Sequence, residues 1–219
     1  MPTSKISLNR KITSYSKVQA VIGKLIRNNK FFIKNNRIKG LTYLDIGCGL
    51  HVSSNFVNLD YFWRPEIDVC WDVTKGTLPF PDNSFDGIFS EHCFEHISLE
   101  AFKHVLSECY RMLKPGGDLR IVMPDGELYL DIYQKKKKGI KAEMPYEEGY
   151  ITAMARINGI FRNHGHQFIY DYQTVEYLLN EIGFSKAKKE SYQSGRNAQL
   201  YGKDTDWREI ESLYVEATK

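Results

Sequence analysis

Residues 41–62 read LTYLDIGCGLHVSSNFVNLDYF, and this stretch decides the fold of the chain. An apolar run ends at Asp45 and is followed closely by Gly47 and Gly49, and a second apolar run ends at Asp60. Glycines let the backbone turn tightly and let a ligand approach more closely than a Cβ atom would allow. An acid that ends the neighbouring strand can accept hydrogen bonds from both hydroxyls of a ribose. The stretch therefore predicts two adjacent strands that bind a nucleotide.

The spacing of the two runs restricts the kind of nucleotide. Asp60 lies 11 positions after Gly49, whereas the ribose acid of dinucleotide-binding folds lies about 20 residues past the glycines. A parallel crossover usually needs about a dozen residues or more, so we expect the first crossover to be shortened. A truncated first helix disfavours a pyrophosphate ligand, which would bind at a helix N-terminus. The missing G-x-G-x-x-G pattern likewise counts against a nicotinamide-dependent dehydrogenase.

The rest of the chain alternates strand patterns with helical ones. Further strands are predicted near 67–73, 86–90 and 118–125, and a helix beginning after Ser98 precedes the last of them. Two more segments predict antiparallel strands at the C-terminal end, KAKKESYQ (186–193) and SLYVEATK (212–219). The pattern predicts an α/β fold with a Rossmann-like, mostly parallel sheet, helices on both faces, a shortened first crossover and an antiparallel C-terminal strand.

The composition is that of a soluble globular protein, with 42% hydrophobic and 26% charged residues among 219. The net charge of +3 is small for this length, so we expect no nucleic-acid partner. The four cysteines form no CxxC pair, which favours reduced thiols and a cytoplasmic location. No apolar run approaches the roughly 18 residues of a membrane span, so membrane insertion is not expected.

Five motifs follow one another along the chain: YLDIGCG (43–49), VNLD (57–60), WDV (71–73), LPFPDNSFDGIFSEHCFEHI (78–97) and RMLKPGGDLRIVMPD (111–125). In this order they resemble the class I S-adenosylmethionine-dependent methyltransferases, and within that class the type 11 group. The resemblance implies a methyltransferase with S-adenosylmethionine as cofactor and a small-molecule or glycan-type methyl acceptor.

The resemblance also implies a division of the chain. Residues 41–219 would form the methyltransferase domain, within which 126–172 would be an insertion on the substrate side. Residues 1–40 would be an N-terminal helix and lead-in, because apolar residues recur at helical spacing from Val18 to Ile26. This segment would pack on the domain or act as a lid.

The cofactor residues implied by the resemblance are Asp45, Gly47, Cys48, Gly49, Asp60, Asp72, Val73, Ser90 and Glu91. The glycine turn with Asp45 would hold the methionine end, and Asp60 the ribose hydroxyls. Asp72 and Val73 would lie beside the adenine amine, and the residues after the fourth strand would form the floor near the sulfonium. Cys48 is interpreted as a small filler of the turn rather than a nucleophile.

Three histidines are candidates for catalysis. If the acceptor is a hydroxyl, a base assists methyl transfer, and a histidine that titrates near neutral pH suits this role. His92, at the carboxyl edge of the sheet, is the first candidate base. His164 and His166 lie in an irregular polar segment and are the second candidates, with a solvated loop as the alternative interpretation.

Two other functions fit parts of the sequence. His92, Glu95 and His96 form an H-x-x-E-H pattern, which is typical of a class of zinc hydrolases when it lies on a continuous helix. Here a strand precedes the pattern and a helix cap at Ser98 follows it, so only about one helical turn is available and no metal site is predicted. A module that binds S-adenosylmethionine without catalysing transfer is the second alternative.

Overall fold

The structure of the protein is a computed structural model that describes residues 17–219. Its strands are β1 Tyr43–Ile46, β2 Val57–Asp60, β3 Val69–Cys70, β4 Phe85–Glu91, β5 Leu113–Pro124, β6 Ser185–Glu190 and β7 Ser212–Thr218. They form one sheet in the order β3-β2-β1-β4-β5-β7-β6. Strands β1 to β5 run parallel, and β7 runs antiparallel to both of its neighbours.

The α-helices are α1 Lys17–Ile26, α2 Asn35–Ile38, α3 Leu99–Met112, α4 Gly126–Lys137, α5 Ala153–Arg162, α6 Tyr172–Ile182 and α7 Ala198–Tyr201. Single 3₁₀ turns cover Lys30–Phe32, Phe94–His96, Asn163–Gly165 and Asp206–Arg208. Over the described residues, none of these helices combines the length and the apolar character needed to cross a bilayer.

Local side-chain chemistry sets the ends of the two main helices. Ser98 Oγ accepts a hydrogen bond from the Ala101 amide and begins α3. Asp171 Oδ1 accepts from the Thr174 amide and begins α6. Gly183 ends α6 in the left-handed conformation, with φ 108°, which a glycine adopts without a steric penalty.

The two faces of the sheet have separate apolar layers. Successive side chains of a strand point to opposite faces, and in β4 Ile88 belongs to the large core beneath α3 and α6, while Phe89 packs on the other face with Leu200 of α7. The predicted α/β fold, with helices on both faces and an antiparallel strand at the C-terminal end, is confirmed.

The shortened first crossover is also confirmed, since residues 47–56 contain no helix. The buried side chain of Asn58 holds this loop in place of a helix. Its Oδ1 accepts from the Ser53 amide at 2.8 Å, and its Nδ2 donates to the Ser53 carbonyl at 3.0 Å and to Asp68 Oδ2 at 2.9 Å. Each polar atom of the Asn58 amide has a hydrogen-bond partner. Burial of this amide in the crossover therefore leaves no polar group unpaired.

Residues 140–172, where the sequence showed no clean period, contain the additional helix α5. It packs against α4 around a small apolar core formed by Tyr129, Ile132, Met144, Ile157 and Ile160. This core is separate from the main one, in keeping with the predicted insertion, but the domain division itself stays a prediction. Of the predicted N-terminal segment, residues 1–16 lie outside the described part of the chain.

A buried cation connects β5 to the C-terminal part of the chain. Arg120 is fully buried, and its guanidinium donates to both carboxylate oxygens of Asp204, at 2.8 and 2.5 Å, and to Glu216 Oε1 at 2.8 Å. It also donates to the carbonyls of Ser191 and Ser194. This network fixes the connection between β6 and β7, residues 191–211, against the sheet.

We expect Arg120→Met to lower the free energy of unfolding by about 3–5 kcal/mol, because it leaves two carboxylates buried without a counter-ion. Urea denaturation at neutral pH measures the loss. The control is Lys135→Met, which removes an exposed ion pair with Asp131 and should change stability by no more than about 0.5 kcal/mol. Equal effects of the two substitutions would contradict the central role of Arg120.

Candidate functional site

A pocket of about 220 Å³ opens at the carboxyl edge of β1 and β4. It is lined by Asp45, Gly47, Cys48, Gly49, Leu50, His51, Phe89, Glu91, His92, Lys203 and Arg208. Six of these residues belong to the site predicted from the sequence. The carboxyl edge of a parallel sheet is where ligands bind in open α/β folds.

The glycine turn after β1 requires glycine for two reasons. Gly47 has φ 76°, and a Cβ atom at this position would lie 2.4 Å from the Sγ atom of Cys93. Gly49 has φ 56°, and its amide donates to Asp60 Oδ2 at 2.8 Å. The turn therefore lies against β2 and leaves its backbone open to the pocket. Burial raises the pKa of the Cys48 thiol far above its usual range, which fits a filler rather than a nucleophile.

Asp45 is a buried carboxylate that already binds an ammonium group. Lys203 Nζ lies 2.6 Å from Asp45 Oδ2, and the same nitrogen donates to the His51 carbonyl at 2.6 Å. Burial raises the pKa of Asp45 to about 6, although the positive charge of Lys203 opposes the rise. The pocket thus contains an anionic position that is complementary to a cation.

Asp60 faces the turn from the end of β2. Its Oδ2 accepts from Gly49 and its Oδ1 accepts from the Phe62 amide at 2.7 Å. Burial raises the pKa of Asp60, and these two backbone hydrogen bonds oppose the rise. Each carboxylate oxygen keeps a further lone pair that is able to accept from a ligand hydroxyl.

Asp72 follows β3 and is engaged locally. Its Oδ1 accepts from the amide and the hydroxyl of Thr74, and Lys75 Nζ lies 3.1 Å from its other oxygen. Burial tends to raise the pKa of Asp72, but these contacts outweigh it and lower the pKa below its usual value. Asp72 and the neighbouring core residue Val73 do not line the pocket.

The end of β4 contributes two side chains that hold the architecture of the site. Ser90 Oγ donates to the Ile46 carbonyl at 2.9 Å and ties β4 to β1. Glu91 accepts from the amide and the hydroxyl of Thr205, at 3.0 and 2.7 Å. Glu91 therefore anchors the β6–β7 connection over the pocket.

His92 directly follows β4 with φ 47°, a conformation that is uncommon for a residue with a side chain. Its Nδ1 lies 2.6 Å from Arg208 Nη1, and because a guanidinium only donates, Nδ1 is the acceptor. Nε2 then carries the proton and donates to Ser212 Oγ at 2.8 Å. The imidazole is neutral in this arrangement, with both nitrogens engaged.

The other two candidate histidines do not line the pocket. His166 Nδ1 lies 2.6 Å from the Ile160 carbonyl, and its ring lies 4.8 Å from that of His96, centre to centre. The His164 ring is 5.9 Å from the ring of His166. The structure thus brings His164 and His166 together with the SEHCFEHI motif but not with the lining of the pocket.

The sequence analysis missed Lys203 and Arg208. Both lie in the β6–β7 connection, residues 191–211, where neither the hydrophobic pattern nor a motif marks a functional residue. The predicted antiparallel pair of strands could have indicated these two residues, because a long connection between β6 and β7 must pass over an end of the sheet.

The H-x-x-E-H pattern lacks the continuous helix that a zinc hydrolase of that class requires. Glu95 and His96 lie in a single 3₁₀ turn, Phe94–His96, whereas His92 precedes the turn in a left-handed conformation. The expectation of about one helical turn is confirmed, and the two histidines of the pattern do not share a helix face.

Comparisons with known proteins agree with this geometry. The family model for the type 11 methyltransferase domain matches residues 48–121, which contain β2, β3, β4, α3 and most of β5. A demethylmenaquinone methyltransferase of Tropheryma whipplei is 34% identical over 127 residues, which are 53% of this chain and 47% of that protein. A phosphoethanolamine N-methyltransferase of Plasmodium falciparum is 32% identical over 98 residues, 36% of this chain and 37% of that protein.

The chain spans about half or less of the length of these curated relatives. A solved structure covers more of it: a SAM-dependent methyltransferase from Archaeoglobus fulgidus superposes with a TM-score of 0.51, over 92% of this chain and 94% of that one, at 16% identity. That likeness establishes the fold, and the matched family model confirms the resemblance found in the motifs. The chain therefore has the fold of that solved methyltransferase, and its residues 48–121 match the type 11 methyltransferase domain.

Proposed function

We propose that the protein is a methyltransferase that binds S-adenosylmethionine at the carboxyl edge of β1, β2 and β4. The observation that carries the proposal is the buried carboxylate of Asp45, which holds an ammonium group at 2.6 Å beside the turn at Gly47. The carboxylate of Asp60 lies on the neighbouring strand and contacts the same turn.

The residues present fit this cofactor. The Lys203 ammonium occupies the position that the α-amino group of the cofactor would take, so the site is already built for a primary ammonium ion. The pocket of about 220 Å³ is smaller than the roughly 300–1,000 Å³ of typical ligand sites. Binding therefore requires the side chain of Lys203 to leave Asp45 and to turn out of the pocket.

We propose the remaining cofactor roles on the assumption that the ammonium group of the cofactor binds Asp45. Asp60 would accept from the ribose hydroxyls through its free lone pairs, and Asp72 with Val73 would lie beside the adenine. Ser90 and Glu91 would shape the floor beneath the reacting methyl group. Their partners in the structure show that they also position the strands and the connection that surround the site.

The bound cofactor supplies an electrophilic methyl group on a sulfonium, and the protein aligns the acceptor and excludes water. We propose His92 as the base for a hydroxyl acceptor, with His164 and His166 as second candidates. His92 is neutral and its Nδ1 lone pair is directed at Arg208. It would become available as a base when the side chain of Arg208 turns away from Nδ1.

For the methyl acceptor we propose a small molecule or a glycan-type compound. The relatives named above are a demethylmenaquinone and a phosphoethanolamine methyltransferase, and a further one, from Pneumocystis carinii, is a sterol 24-C-methyltransferase with 35% identity over 103 residues, 36% of this chain and 26% of that protein. These names favour a small molecule. We propose a cytoplasmic location on the basis of the unpaired cysteines.

We expect S-adenosylhomocysteine to bind the purified protein and Asp60→Asn to weaken that binding by tenfold or more. The substitution replaces a charge-assisted acceptor by a neutral amide, and hydrogen bonds to charged groups contribute about 1.5–3 kcal/mol. Isothermal titration calorimetry measures both affinities. Asp131→Asn, an exposed acid on α4, is the matched control and should bind like the wild type. No heat with the wild-type protein would refute the proposed cofactor.

The affinity for S-adenosylhomocysteine should fall about tenfold between pH 7 and pH 5, because Asp45 has a pKa of about 6 and only its ionised form holds the ligand ammonium. In Lys203→Met, burial of Asp45 is no longer opposed by a positive charge, so the midpoint of this fall should move to higher pH. Titrations at pH 5, 6, 7 and 8 test both statements. Asp45→Asn should bind weakly at every pH, and a wild-type affinity that is independent of pH would contradict the role of Asp45.

His92→Ala should reduce methyl transfer by about 100-fold or more, the usual contribution of a general base, while the affinity for S-adenosylhomocysteine stays within about threefold. Release of S-adenosylhomocysteine is followed with a panel of quinol, amino-alcohol phosphate, sterol and glycan acceptors. Retained turnover in His92→Ala would exclude the base role. Binding without turnover for any acceptor would support the alternative of a non-catalytic module.

A further inference from the structure

A second group of chemically reactive side chains lies beside the candidate cofactor pocket. One donor atom each of Glu95, His96 and His166 lie within 4.8 Å of one another, and we refer to these three residues as the Glu95 cluster. The cluster joins the 3₁₀ turn after β4 to the segment after α5, which lies 71 positions further along the chain. No role in the proposed methyl transfer uses Glu95 or His96.

Glu95 is a fully buried carboxylate whose two oxygens both lack a hydrogen-bond partner. His92 Nδ1 lies 3.3 Å from its Oε1, but this nitrogen accepts from Arg208 and has no proton to donate to Glu95. A buried ionised carboxylate without a hydrogen-bond partner is costly, so a cation bound at this position would stabilise Glu95. Its carboxylate is directed at the two histidines, because His96 Nε2 lies 3.8 Å from Oε1.

His166 is oriented in the way that metal-ligating histidines are. Its Nδ1–H donates to the Ile160 carbonyl at 2.6 Å, which fixes the tautomer and leaves the Nε2 lone pair free. Such a hydrogen bond from the far ring nitrogen to a backbone carbonyl is the usual outer partner of a metal ligand.

The backbone holds the two halves of the cluster together without a metal. The amides of Gln167 and Phe168 both donate to the Glu95 carbonyl, at 2.7 and 3.3 Å, and Gln167 Nε2 donates to the His96 carbonyl at 2.7 Å. About a third of the His96 side chain is exposed, which gives an ion a route from solvent. The cluster is therefore preorganised, and small side-chain rotations bring its donor atoms to coordinating distance.

We propose that Glu95, His96 and His166 form a binding site for a divalent transition-metal ion of the Zn²⁺ type. Imidazole nitrogens with one carboxylate favour Zn²⁺ and its transition-metal neighbours, whereas Mg²⁺ and Ca²⁺ require mainly oxygen ligands. Three protein ligands leave a position open for water or for an oxygen of a bound ligand. The site differs from the H-x-x-E-H pattern, because His166 takes the place of His92. It also differs from the sequence analysis, which predicted no metal site.

The test is calorimetric titration of tag-free, chelator-treated protein with ZnCl₂. We expect each protein molecule to bind one Zn²⁺ ion with micromolar or tighter affinity. Glu95→Gln keeps the shape of the side chain but removes its charge, and His166→Ala removes a partly exposed ligand, so each should weaken Zn²⁺ binding by tenfold or more. The matched controls are Glu100→Gln and His104→Ala on α3, which should bind Zn²⁺ like the wild type. Circular dichroism tests whether each variant is folded. If Glu95→Gln does not fold, the titration of His166→Ala decides the result.

The expected cation class is tested by competition. Co²⁺ bound at the site should give a visible absorption spectrum that Zn²⁺ removes and that a large excess of Mg²⁺ leaves unchanged. Zn²⁺ binding that survives both Glu95→Gln and His166→Ala, or tighter binding of Mg²⁺ than of Zn²⁺, would overturn the proposal. Because these titrations contain no S-adenosylhomocysteine, their outcome is independent of the proposed methyltransferase activity.

Discussion

The guanidinium of Arg120 is the constraint on which the site depends. It is buried on the face of the sheet opposite the main core and makes ion pairs with Asp204 and Glu216. Arg120 and Asp204 are both buried, so separating them would leave two charges without partners, and the ion pair holds the connection that contains Asp204 against the sheet. That position places the adjacent Lys203 against Asp45. A charge in the interior of β5 thereby determines what covers the pocket at the edge of β1.

The sequence predicts those parts of the fold and of the site that depend on neighbouring residues in the chain or on the order of the strands. A strand followed by glycines requires the left-handed backbone seen at Gly47, and a hydroxyl three positions before a helical amide gives the cap at Ser98. The carboxyl ends of adjacent parallel strands must meet at one edge, which places Asp45 and Asp60 together from their order in the chain alone. These features need no knowledge of distant contacts.

The parts that the sequence does not predict depend on long-range packing. Lys203 pairs with Asp45 across 158 positions, and neither residue carries a local sign of the other. His166 meets Glu95 across 71 positions through a segment without a hydrophobic period, where even the helix α5 was not recognised. In both cases a polar side chain is placed by the contacts of its neighbours in the chain rather than by its own pattern. Such contacts appear only once the whole chain is folded.

Charge balance explains how the proposed sites relate to each other. The pocket and its surroundings contain the carboxylates of Asp45, Glu91 and Glu95, and the buried ones, Asp45 and Glu95, need a cation or a strong donor. Lys203 serves Asp45 in the structure, and the proposed cofactor brings an ammonium group that replaces it without changing the charge. Glu95 has no such resident cation, and the proposed metal ion would supply one. His92 lies between the two sites, since it lines the pocket and is 3.3 Å from Glu95. A change of charge at either site therefore acts on the same imidazole.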